Sequence, residues 1–83
     1  MMNTYIKSDD EAAIREFCAF FTHVIGPSKG VPEGLDEDEN PIPAKGDPDF
    51  WYACIRGPVQ FTPDSPILPC QEAEGIEVVG VWA

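Results

Sequence analysis

The stretch DFWYACIRG, residues 49–57, sets the hardest limit on what this chain can become. Read as a strand, it points Phe50, Tyr52 and Cys54 one way and Trp51, Ala53 and Ile55 the other. Both faces are apolar. A strand exposed on one side alternates with polar residues; one with two apolar faces has to be covered twice. The chain has 83 residues with which to do so. That is the length of one domain, taken here as 1–83, and such a chain buries only about 60–65% of its unfolded surface. Apolar residues make up 43% of it, enough for a small core.

One cover is plain. SDDE at residues 8–11 reads as a capping box, with Ser8 and Glu11 satisfying each other's backbone N–H. Asp9, Asp10 and Glu11 suit the positive end of a helix. Ile14, Phe17, Phe21 and Val24 then recur at i, i+3, i+7 and i+10, while Arg15, Glu16, Thr22 and His23 take the outer side. Gly26–Pro27 is a stop signal. The pattern predicts one amphipathic helix over about 9–25. With one helix on one face, the other face falls to proline-rich loops or to another molecule.

GIEVVGVWA, residues 75–83, reads as a second strand, with Ile76, Val78 and Trp82 sharing a face. NTYIK at 3–7 reads as a short third. Between these elements lie all nine prolines and Gly26, Gly30, Gly34 and Gly46, and they predict an acidic loop over 26–49 and a second connector over 58–75. A loop of the first kind is long for a compact domain and is either functional or mobile. The expected fold class is α+β: a helix on a small antiparallel sheet of two or three strands, 50–56 and 76–82 with 3–6 beside them. The expected core is Ile14, Phe17, Phe21, Val24, Tyr52, Cys54, Ile76 and Val78.

Fifteen acids against five bases give a net charge of −10. That charge repels nucleic acids and anionic membranes at long range, so direct binding to either is not expected. No apolar run approaches the roughly 20 residues of a membrane span. The opening MMNTYIKSDDEAAIREF lacks the basic-then-apolar order of a secretory leader, so a cytoplasmic location is expected. Cys18, Cys54 and Cys70 are odd in number and irregularly spaced; reduced thiols are the expectation, with a Cys54–Cys70 bridge as the alternative.

Motifs for chemistry are few. From Asp36, the run LDEDENPIPAKGD places Asp36, Asp38 and Asn40 at positions one, three and five of a calcium loop, with Asp47 at twelve. Position six of such a loop needs a glycine; here it is Pro41, held near about −65° in φ. The run therefore reads as an acidic contact segment, Asp36, Glu37, Asp38 and Glu39, and not as a metal cage. His23 and Cys18 lie about 140° apart around a helix and do not face each other. The cysteines form no zinc pair and the glycines no phosphate loop. No cofactor, metal ligand or catalytic residue is assigned, and the expectation is a non-enzyme. The aromatic group with Arg56 has the composition of a protein interface; the candidate interface is Trp51, Tyr52, Ile55, Arg56 and Trp82.

DEDENPIPAKGDP, WYACIRGP and the terminal VVGVWA resemble small accessory proteins of tailed phages and prophages, over about half of the chain. The resemblance carries no catalytic or binding signature. It implies a setting, that of a phage accessory or virion-associated subunit. Two readings follow: an interaction or assembly protein that self-associates or docks on a larger phage assembly, and an acidic inhibitor that imitates nucleic acid on a host defence protein.

Overall fold

A computed structural model describes residues 3–81. Its elements run β1 (Asn3–Ser8), α1 (Glu11–Cys18), β2 (Val24–Lys29), β3 (Gly34–Leu35), β4 (Pro41–Ile42), β5 (Trp51–Arg56), β6 (Leu68–Pro69) and α2 (Glu72–Val79). The fold is α+β. Four strands form one antiparallel sheet in the order β2-β5-β1-β6, and β3 and β4 form a separate two-stranded ribbon.

The two-faced strand takes a central place, as β5. It pairs with β1 from Asn3↔Arg56 to Ser8↔Trp51 and with β2 on its other side. Its two faces are covered by two different helices. Ala53 and Ile55 join Ile6, Ile14, Cys18 and Ile67 in a buried cluster under α1. On the opposite face Tyr5, Tyr52 and Cys54 are buried, and α2 lies over them. Gly75 sits on the Tyr5 ring so closely that a Cβ there would overlap it. The second cover comes from the chain's own C-terminal segment, not from loops or a partner.

That segment is the largest departure from expectation. Residues 76–82 read as a strand because Ile76, Val78, Val79 and Val81 are β-branched; in the structure Glu72–Val79 is helical. Propensity loses here to burial, because the face of Tyr5, Tyr52 and Cys54 needs a lid, and Gly75 lets a helix backbone come close enough to be one. Ile76, an expected core residue, is 38% exposed and Val78 is half-buried. Trp82 lies outside the described residues.

The first helix is shorter than its stripe. Ser8 is the last residue of β1, and its Oγ accepts from the Asp10 N–H (3.0 Å). Asp10 is the N-cap, and its carboxylate accepts from the Ala13 N–H (3.1 Å). The helix ends at Cys18, since Phe20, Phe21, Thr22, Val24 and Ile25 are aromatic or β-branched. Val24–Lys29 pairs with β5 instead and adds a strand that the sequence reading assigned to helix and loop. Gly26 is no helix stop: with φ +94° it marks the register shift between Ile25 and Ser28, where a Cβ would meet the Tyr52 carbonyl at 2.8 Å. Phe17, Phe21 and Val24 are half-buried against the α1 cluster, while Ile14, Tyr52 and Cys54 are buried as expected. No helix among the described residues is long and apolar enough to cross a membrane.

Candidate functional site

The acidic segment is built into an ordered arm. Val31 and Lys45 exchange two backbone hydrogen bonds of 2.9 Å, and Gly34↔Ile42 and Leu35↔Pro41 continue the ribbon. At the tip, the Asp36 carboxylate accepts from the N–H groups of Asp38 (2.9 Å) and Asn40 (2.8 Å). Glu39 adopts φ +63° there, and its N–H donates to the Asp36 carbonyl. Asp36 therefore spends its side chain on the turn, whereas no hydrogen bond or ion pair engages the carboxylates of Glu37, Asp38 and Glu39 among the described residues. Every residue of 31–45 is exposed except half-buried Ile42, and Leu35 is 67% exposed. The molecule reaches 42 Å along its longest axis.

The root of the arm is closely packed. Gly30 is buried, donates to the Phe50 carbonyl (3.0 Å), and passes so near the Asp47 backbone that a Cβ would overlap it. Gly46, at φ +67°, packs against the Tyr52 ring and Val78. The Asp47 N–H donates to the Tyr52 hydroxyl (2.8 Å), which donates in turn to Glu74 (2.8 Å). Glu74 also accepts from Lys7 (3.4 Å) and from the Cys70 thiol (3.5 Å). The Lys7 ammonium stands 5.2 Å above the Phe50 ring. One carboxylate on α2 thus gathers β1, β5 and the foot of the arm into a single node.

The chemistry of this node is that of a clamp. Burial, then the negative charge of Glu74, pushes the Cys70 thiol up to about 12, so it stays protonated at neutral pH and is a poor nucleophile. Burial likewise pushes Tyr52 up to about 12. The hydrogen bond from Tyr52, ahead of those from Cys70 and Lys7, holds Glu74 below its ordinary value, so it is ionised and acts as an acceptor. Among the described residues no group of three or more His, Cys, Asp or Glu side chains is arranged to hold a metal.

No disulfide joins Cys18, Cys54 and Cys70. Cys54 is the partner of Tyr5 across one side of β1, and the Cys70 N–H donates to the Tyr5 carbonyl on the other side. A whole strand separates Cys54 from Cys70. Two strand spacings come to about 9.5 Å, beyond the reach of a disulfide.

The expected interface does not assemble on one surface. Tyr52 and Ile55 are 0% exposed, one beneath α2 and the other beneath α1. Trp51 is half-buried under Arg15, whose guanidinium is 5.4 Å from the ring centre. Arg56 is exposed at the end of β5, and Trp82 lies outside the described residues. Lys7, Cys70 and Glu74 were not anticipated as a group, because only the strand register and the docking of α2 join positions so far apart. The acids of QEAEG were a signal for a helix start, and Gly75 among them for a close approach.

Comparison with protein-family models, curated proteins and solved structures returns no match.

Proposed function

We propose that this chain is a non-enzymatic interaction protein that docks through the 31–45 arm. The observation that carries this reading is the pairing of an exposed, ordered ribbon with a rooted base. Rigid presentation lowers the ordering cost of binding, so a small contact can yield useful affinity. The carboxylates of Glu37, Asp38 and Glu39, with Leu35 behind them, fit a partner surface that is basic with an apolar recess. The resemblance to phage accessory proteins makes a larger phage assembly the leading partner. The two-faced strand no longer calls for a partner, because α2 covers it; support for an assembly role rests on the arm.

The acidic inhibitor is the second reading, favoured by the clustering of charge at the tip. Replacing Glu37, Asp38 and Glu39 by their amides, with Asp36 kept to hold the turn, separates the two. An inhibitor that imitates nucleic acid loses binding to its basic target and shows steep salt dependence before the change. An assembly subunit docked through the arm keeps a reduced but measurable association with particles of its source, measured by co-sedimentation, because exposed Leu35 and the ribbon remain. If the substituted protein keeps both affinities unchanged, the arm is not the docking element.

A further inference from the structure

A cavity of about 250 Å³ opens beside α1, lined by Ala13, Glu16, Phe17, Phe20, Pro66 and Ile67. Its floor is apolar, and Phe20 at its rim is 81% exposed, the most exposed large apolar side chain among the described residues. The volume suits one leucine or phenylalanine side chain. The lining comes from residues 13–20 and 65–67; beside the hydroxyl of Ser65, its one charged group is the carboxylate of Glu16. Arg15 is held by Glu11 at 2.8 Å and lies over Trp51, so it does not offset the charge of Glu16. The groove is thus an apolar socket with an unpaired carboxylate at its edge, on a chain of net charge −10.

We infer that this socket takes one large apolar side chain flanked by lysine or arginine, from a basic protein partner. The apolar residue fills the cavity against Phe17 and Ile67 and covers Phe20; the cation meets Glu16. A second copy of this chain suits the socket less, since it would bring Glu16 and its neighbours against like charge. The socket is distinct from the arm and stands whether or not the arm binds.

The test is an amide NMR titration of the full chain with three short peptides: a leucine between two lysines, a leucine between two glutamates, and a glycine between two lysines. The expected result is amide shift changes confined to residues 13–20, Ser65 and Ile67, for the lysine-flanked leucine alone. Phe20→Ser, which alters an exposed side chain, abolishes them. Glu16→Gln weakens the lysine-flanked peptide by about two- to fivefold, the worth of one exposed ion pair. Four outcomes overturn the inference. These are no shifts at the groove, equal shifts with the glutamate-flanked peptide, equal shifts with the glycine peptide, or groove shifts that track protein concentration without peptide. The last would assign the socket to a second copy. Shifts at 31–45 alone would speak for the arm and against the socket.

Discussion

Tyr52 shows how much one buried hydroxyl can organise. It accepts from Asp47 and donates to Glu74, so the foot of the arm and the lid helix share one oxygen. A phenolate at that position would face the Glu74 carboxylate at 2.8 Å, like charge against like charge. The same holds less directly for Tyr5, which burial also pushes to about 12 and whose hydroxyl donates to the Gly80 carbonyl (2.9 Å). Tyr5, Tyr52 and Cys70 all have folded values above their ordinary ones of 10.0 and 9.0. The unfolded chain therefore releases these protons first as pH rises. The stability they contribute is whole below about pH 9 and falls as pH climbs towards 12. Glu74 has the opposite sign: its contribution is present above the ordinary carboxylate range and fades as pH falls below it. Urea midpoints should hold steady near neutrality and drop steeply above about pH 10, together with the appearance of tyrosinate absorbance. Tyrosinate appearing at the ordinary pH, with the fold intact, would mean that neither ring is sealed under α2.

At the scale of elements, α2 is the decisive piece. A helix of eight residues with a glycine inside it is weak by itself. It forms because it closes the second face of β5, and Gly75 is the point of closest approach. Replacing Gly75 with alanine improves helix propensity by up to about 1 kcal/mol. Here the added methyl meets the Tyr5 ring, so Gly75→Ala should destabilise by about 1–3 kcal/mol. Glu72→Ala, on the exposed side of the same turn, should stay within about 0.5 kcal/mol of the parent. Chemical denaturation of the two variants checks this, and a stabilised Gly75→Ala would place α2 elsewhere. The α1 side is more conventional: Ile14 and Cys18 lie under the helix, and Phe17 and Phe21 stack at 5.3 Å beside them.

On the scale of the whole molecule, a sheet with a helix on each face carries an arm that contributes little to its core. Residues 31–45 place no side chain among the buried set, and Gly30 and Asp47 already lie side by side at the root. Replacing 32–44 with a short glycine–serine link should therefore leave the fold cooperative and change its stability by less than about 1 kcal/mol, since shortening a loop costs little entropy. If the arm docks as proposed, the shortened protein should lose that binding. Retention of partner binding by a well-folded arm-less chain would move the docking function to the rest of the surface.

Composition and local pattern determined the α+β class, the strand at 51–56 with its two apolar faces, the stripe of α1 around Ile14, and the placing of Pro41 where a calcium loop needs a glycine. Each of these depends on neighbours within a few residues, where side-chain period and the fixed φ of Pro41 act directly. Tertiary structure alone decided the rest. Val24–Lys29 left the helical stripe because an open edge of β5 offered it a ladder. Glu72–Val79 became a helix in spite of its β-branched residues because Tyr5, Tyr52 and Cys54 needed cover. Lys7, Tyr52, Cys70 and Glu74 met because antiparallel register and helix docking brought them together. A segment's own preference is worth tenths of a kcal/mol per residue, roughly, and sealing a buried face is worth several kcal/mol. Where the two disagreed in this chain, the buried face prevailed.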